Sequence, residues 1–254
     1  MLSCTLKGGL GNQMFQIAAT FALAWDNQDF CVFGNSHTPN QGNDAFSYKD
    51  NILYRVRLTK QLPKLDNKYQ ERSFLYNPIW YQKEMMLNGY FQSPKYFDKY
   101  QKEIQSLFIL PLEIKRLRSI YKKYLRNSVS VHIRRGDYIG NENTKPLDLD
   151  YYRKALDLYG PIGNLFVFSD DIEWAKANIV GCCRTHYLDS MPDWECLYLM
   201  SLCKHNIIAN SSFSWWGAYL NNYSKKKVVA PKEWFVEDSV LDSKDIYTSN
   251  MILL

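Results

Sequence analysis

From about residue 128 onward the chain alternates short apolar runs with segments of helical period, and nothing else in the sequence constrains the fold as strongly. Residues 128–132, 164–169, 185–188, 206–209 and 227–230 have strand character. Between them, segments near 150–159, from Asp170-Asp171 through 178, and at 193–203 and 215–221 repeat apolar residues at helical spacing. Strands separated by helices and short links pair in parallel through right-handed crossovers. Such sheets take ligands outside the carboxyl ends of their strands. Three polar clusters fall at those ends: His132-Ile133-Arg134-Arg135-Gly136-Asp137, Phe168-Ser169-Asp170-Asp171 and Asn210-Ser211-Ser212-Phe213-Ser214.

The N-terminal part opens as a βαβ unit. A strand at 2–6 runs into Lys7-Gly8-Gly9-Leu10-Gly11-Asn12, then a helix at 13–26 with Met14, Ile17, Ala18, Phe21, Ala22 and Trp25 on one face, then a strand at 30–33. Between 34 and 81 no periodicity emerges. Residues 85–91 lead toward a helix within 93–108, and 112–125 form a basic amphipathic helix. The weakest pattern lies before residue 128, so two domains are expected, 1–127 and 128–254.

Charge and cysteine usage narrow the setting. The formal charge is +5, with short basic clusters at 115–118, 121–126 and 225–227. They lack the long patch with interleaved readers that nucleic acid requires. A solvated helix face accounts for them, as does attraction to an anionic nucleotide or membrane surface. Cys182 and Cys183 are adjacent, and no CxxC or Cys/His ligand spacing occurs. Free thiols in a reducing compartment are expected. The first residues lack a signal-peptide pattern, and no apolar run reaches membrane-spanning length. A cytoplasmic protein, with peripheral membrane contact allowed, is the expectation.

Each polar segment admits a plain and a chemical reading. Gly9, Gly11, Asn12 and Gln13 belong either to a tight strand–helix turn or to an anion site at a helix N-terminus. His132 and Arg134 project to one side of a strand, with Arg135 and Asp137 near the loop. The arginines offer a planar fork to a diphosphate, or a surface Arg–Asp pair. Ser169, Asp170 and Asp171 supply a helix N-cap, or a carboxylate accepting from the ring N–H and amino group of guanine. A metal is disfavoured there, because no third oxygen ligand is supplied. Asn210, Ser211, Ser212, Phe213 and Ser214 exceed what one cap needs and suit a phosphate.

Together, the strings Gly8-Gly9-Leu10-Gly11-Asn12-Gln13-Met14-Phe15-Gln16, His132-Ile133-Arg134-Arg135-Gly136-Asp137-Tyr138, Phe168-Ser169-Asp170-Asp171 and Asn210-Ser211-Ser212-Phe213-Ser214-Trp215-Trp216 resemble the α-1,2-fucosyltransferases of glycosyltransferase family 11. The resemblance implies an α/β, GT-B-like fold of two Rossmann-like domains facing across a cleft. It implies GDP-fucose as donor, a galactose-containing glycan as acceptor, and neither metal nor cofactor. Arg134 would then grip the β-phosphate and Asp137 brace the arginine pair. His132 and one of Asp170 and Asp171 would contact guanosine, Ser211 or Ser212 would reach phosphate, and Asn12 and Gln13 would close the cleft. The rival readings are another acceptor or GDP-sugar donor, and a non-catalytic sugar-binding relative.

Overall fold

The structure is a computed structural model that describes residues 1–34, 44–179, 183–236 and 239–254; Cys182 lies outside the described residues. The chain divides into two compact units, 1–110 with 241–248, and 111–240 with 249–254. This division precedes the 127/128 point read from the sequence. Helix Pro111–Tyr121 packs with the second unit, where Arg116 pairs with Glu195 at 2.8 Å. Residues 241–248 return to the first unit: Ser93 donates to the Asp245 carbonyl (2.7 Å), and Asp245 Oδ2 accepts from the Tyr76 N–H (3.0 Å).

In the first unit, β1 (Leu2–Cys4), α1 (Leu10–Asp26), β2 (Phe33–Gly34), β3 (Leu58–Thr59), β4 (Asn67–Gln70), β5 (Met85–Asn88) and α2 (Gln101–Phe108) follow in order. A parallel sheet runs β1-β5-β4, with Leu2 opposite Met85 and Cys4 opposite Leu87. Helix α1 buries Met14, Phe15, Ile17, Ala18 and Ala22 and starts three residues before the expected position, so Gly11 and Asn12 lie in its first turn. Strand β4 reads Asn-Lys-Tyr-Gln and is alternately half-buried and exposed. With so little apolar content it is a strand only because β5 pairs with it.

The second unit contains α3 (Pro111–Tyr121), β6 (Ser128–Ile133), α4 (Leu149–Asp157), β7 (Asn164–Ser169), α5 (Ile172–Asn178), β8 (Arg184–Leu188), α6 (Asp193–Leu202), β9 (His205–Ile207), α7 (Ser212–Tyr219), β10 (Val228–Ala230) and β11 (Met251–Leu253). Its six-stranded sheet is parallel throughout, in the order β11-β10-β9-β6-β7-β8. The first strand in sequence thus lies inside the sheet, and the order reverses between β6 and β9. A crevice opens at such a reversal, because the flanking loops leave toward opposite faces.

Both faces of this sheet are covered. Val129, Val131 and Ile133 of β6 join Leu165, Val167, Ile207 and Val229 in one core, while Phe166 and Phe168 join Leu199 and Met200 in the other. Alternation along a strand puts Ser130 and His132 on the second side. There the buried Asn206 amide donates to Ser130 Oγ (2.7 Å) and the Met200 carbonyl (2.9 Å), and its oxygen accepts from Asn221 Nδ2 (2.8 Å). One side chain therefore ties β9 to β6, to the last turn of α6 and to the residues after α7.

Among the described residues the cysteines are free, and burial raises the thiols of Cys4, Cys31, Cys196 and Cys203. No helix among them is long and apolar enough to cross a membrane.

Asn206→Leu is expected to cost about 3 kcal/mol or more, since several buried partners lose their bonds at about 1–3 kcal/mol each. Ser130→Ala should cost about 1 kcal/mol. Urea unfolding checks both, and equal small losses would mean that the amide network does not hold the strands in place.

Candidate active site

The crevice between β6 and β9 is built from the loops that follow β6, β7 and β9. Strand β6 pairs with β7 to its last residue, Ile133 opposite Ser169. Arg134 and Arg135 therefore emerge beside Asp170 and Asp171. Arg134 forms ion pairs with Asp170 Oδ2 (3.2 Å) and Asp137 Oδ1 (2.8 Å). Asp170 Oδ1 accepts from the backbone N–H of Arg135 at 2.9 Å. Asp171 caps α5, accepting from the Trp174 N–H at 3.2 Å, and its other oxygen accepts from Arg135 Nε at 3.1 Å. The guanidinium of Arg135 lies 4.1 Å from the centre of the Trp174 ring. A Cβ on Gly136 would meet the Asp170 carboxylate at 2.9 Å, so the turn needs a glycine to let that carboxylate approach.

The charge states follow from burial and pairing. Burial disfavours charge on Arg134, but Asp170 and Asp137 outweigh it and hold the guanidinium firmly protonated. Burial, with Arg134 nearby, pushes the His132 imidazole down to about 3. His132 is thus neutral at physiological pH, its ring 5.4 Å from that of Phe213 at the start of α7. Burial pushes the Tyr138 phenol up to about 12, and its hydroxyl donates to the Asn210 carbonyl at 2.8 Å. That bond joins the loop after β6 to the loop after β9.

Two buried polar atoms here are left over. His132 Nδ1 and Asn210 Oδ1 have no hydrogen-bond partner among the described residues, although Asn210 Nδ2 donates to the carbonyls of Lys145 (3.2 Å) and Trp234 (3.1 Å). An orphaned buried polar atom is costly unless a ligand or water satisfies it. Ser211 stands at the N-cap of α7 without a side-chain capping bond. Helix α7 begins at Ser212, so Ser212, Phe213 and Ser214 occupy its first turn rather than the turn before it. The Ser214 hydroxyl is buried, accepting from the Ala209 N–H (3.2 Å) and donating to the Ser211 carbonyl (3.3 Å). It shapes the loop from within. Ser169 Oγ likewise accepts from the Asp171 N–H at 3.0 Å.

The first unit gathers a separate polar group at the carboxyl ends of β1, β4 and β5. Gly8 has φ +77°, a backbone state that favours glycine, and a Cβ there would strike the Asn12 side chain. Asn12 Oδ1 accepts from Gln92 Nε2 at 2.7 Å, and Gln13 Nε2 donates to the Gly8 carbonyl at 2.9 Å. Gly9 is exposed at the N-cap of α1, while Gly11 is buried within the helix. Glu71, after β4, accepts from the backbone N–H groups of Tyr90 (2.6 Å) and Phe91 (2.9 Å), and burial raises its carboxyl.

The structure thus brings His132, Arg134, Arg135, Asp137, Ser169, Asp170, Asp171, Asn210, Ser211 and Ser212 to adjoining strand ends in one unit, and keeps Gly9, Gly11, Asn12 and Gln13 together in the other. Sequence reasoning left Trp174, Tyr138, Gln92 and Glu71 without roles. Tyr138 belongs to the His132–Tyr138 string, but the other three reach their partners only through folding. Among the described residues no cluster of three His, Cys, Asp or Glu is placed to hold a metal.

Known proteins are similar to this chain in sequence and in fold. The chain is 34% identical to the O-antigen biosynthesis glycosyltransferase WbnK of Escherichia coli, over 92% of this chain and 95% of that one. It is 31% identical to an α-1,2-colitosyltransferase of Escherichia coli, over 92% of each. A galactoside 2-α-L-fucosyltransferase of Caenorhabditis elegans is 27% identical, over 87% of this chain and 69% of that one. In fold, the chain is similar to the NodZ α-1,6-fucosyltransferase soaked with GDP-fucose (TM-score 0.53, 12% identity, 86% of this chain and 92% of that one). It is also similar to POFUT1 in complex with GDP-fucose (TM-score 0.51, 14% identity, 89% and 94%). These likenesses bear out the α/β, GT-B-like class expected from the sequence, with a parallel sheet in each unit. Residues 1–253 match Glycosyl transferase family 11, and the chain belongs to that family of glycosyltransferases.

Proposed function

We propose that the protein is an inverting, metal-independent galactoside α-1,2-fucosyltransferase, moving L-fucose from GDP-β-L-fucose to the 2-hydroxyl of a galactose-containing glycan. The observation that carries this reading is the paired-arginine array at the carboxyl end of β6, set beside two orphaned buried polar atoms. A guanidinium has five N–H donors in a fixed fork. The two carboxylate pairs of Arg134 leave donors for the β-phosphate, whose charge grows as the glycosidic bond breaks. Donors held in place before the reaction stabilise that charge by about 2.7–4 kcal/mol each. Asp137 and Asp170 hold the fork in its rotamer, and Ser211 with the first turn of α7 adds donors from the other side of the crevice. Inversion follows from a single displacement, in which the acceptor oxygen bonds to the anomeric carbon as GDP leaves and the hydroxyl proton passes to a general base or to the departing phosphate. Asn12, held by Gln92, and Gln13 are the first unit's candidates for the reacting centre.

The fucosyltransferase neighbours with GDP-fucose and the Caenorhabditis elegans relative support this donor and linkage. The α-1,2-colitosyltransferase relative supports a second reading, with the same site and linkage but colitose as the transferred sugar. Incubation with each nucleotide sugar and a panel of galactosides, followed by linkage analysis, separates them. Buried free thiols fit a cytoplasmic setting, and the basic faces allow peripheral contact with a membrane.

Arg134→Lys is expected to lower kcat about 100-fold or more with the fold intact, because a point charge cannot replace the fork. Near-normal turnover at saturating acceptor would remove the clamp assignment.

Activity should persist in a chelator, since the guanidinium groups of Arg134 and Arg135, paired with Asp170 and Asp171, repel a divalent cation from them. Complete loss with EDTA, restored by Mn²⁺ or Mg²⁺, would contradict it.

GDP should compete with the donor well, and UDP and ADP poorly, because only guanine offers a ring N–H and an amino group to one carboxylate. Asp170→Ala and Asp171→Ala, measured separately, should show which of them narrows that gap. Asp171→Ala also removes the cap of α5, so its melting temperature is read alongside. Equal inhibition by the three nucleotides in the unmutated protein would end the guanine reading.

A further inference from the structure

At the opposite edge of the second unit's sheet, where its strands begin, lies a cavity of about 440 Å³. Its lining includes Arg118, Lys122, Arg126, Lys204, Asn221 and Tyr223. Arg126 shortly precedes β6 and Lys204 immediately precedes β9, whereas Arg134 and Arg135 follow β6. The cavity is therefore distinct from the crevice described above. No carboxylate lines it. Arg116, also on α3, is paired with Glu113 and Glu195, but none of these four cations forms an ion pair among the described residues. Lys204 Nζ is held 5.5 Å from the centre of the Tyr223 ring.

Four cations near helix C-termini have a structural explanation, which magnitudes can weigh. Helices α3, α6 and α7 end at this edge, and each C-terminus carries about −0.5 of a charge. Together they offset about one and a half of the four cations. Three carbonyls at the ends of α6 and α7 have other donors: Asn221 Nδ2 donates to the Cys203 carbonyl (2.8 Å), and Lys226 Nζ donates to those of Ala218 and Asn221 (2.7 Å each). A local excess of about two and a half positive charges is left, framed by two guanidinium forks, and such forks match phosphate oxygens in pairs.

We propose that this cavity binds a phosphate-bearing anion. The inference rests on the second unit's own geometry and stands whether or not the transferase reading does. The anion has two sources with the same chemistry, a free phosphate compound and the headgroup of an anionic lipid.

The test is site-resolved amine labelling of the full chain, read by mass spectrometry, with three probes: inorganic pyrophosphate, vesicles of phosphatidylcholine with phosphatidylglycerol, and vesicles of phosphatidylcholine alone. Labelling of Lys122 and Lys204 should slow about fivefold or more with an anionic probe, while Lys64, exposed in the first unit, is unaffected. Arg118→Gln/Arg126→Gln, two exposed positions whose change should leave the melting temperature unaltered, should lose the protection. Protection by pyrophosphate identifies a free phosphate compound, and protection by the anionic vesicles alone identifies a lipid headgroup. No protection by either, equal protection at Lys64, equal protection by the neutral vesicles, or protection unchanged in the double variant would overturn the proposal.

Discussion

The amide of Asn206 is the point on which the second unit turns. A parallel sheet that reverses strand order must hold β9 against β6 although α4, β7, α5, β8 and α6 intervene in sequence. Strand β9 has three residues and so few side chains of its own to set its register. The bonds from Asn206 to Ser130, Met200 and Asn221 remove that freedom, because a one-residue slip would strand several buried polar groups at once. With β9 so placed, the loop after it must run beside the loop after β6, and the Tyr138–Asn210 bond closes the two together.

The arginine–aspartate array works within that frame. By formal charge the three aspartates outnumber the two arginines, so the array is not a simple positive pocket. Its carboxylates fix the guanidinium groups in orientation, and the most exposed of them, Asp137 at 64%, is also the best screened by water. Preorganisation, rather than net charge, is what the geometry supplies. A neutral His132 suits the same setting, since a buried cation beside the half-buried Arg134 would repel it.

The first unit uses different means to the same end. Its sheet is small, and its loops are held by side chains reaching backbone: Gln13 to Gly8, Gln16 to Lys7 and Gly89, Glu71 to Tyr90 and Phe91. The half-buried carboxylate of Glu71 is tolerated because two N–H groups point at it. These bonds hold the glycine turn before α1, where Asn12 is presented.

What the sequence determined by itself was the architecture wherever apolar periodicity is strong. Strand β6 with its Val-rich run, β7 with Leu-Phe-Val-Phe and the helices between them follow from patterns of two and 3.6 residues, which sheet and helix geometry impose locally. The polar strings at the strand ends were legible for the same reason, since a loop's place follows from its flanking elements. The tertiary structure alone decided the rest. Strand β4 has no apolar signal and exists by pairing with β5; residues 241–248 join the first unit through Asp245; helix α3 belongs with the second. Trp174 under Arg135, Gln92 against Asn12 and the choice of Asp171 as cap with Asp170 as arginine partner are contacts between residues distant in sequence or equivalent in type. Propensity acts over a few residues, and such contacts form only when the packing of whole strands brings their ends together.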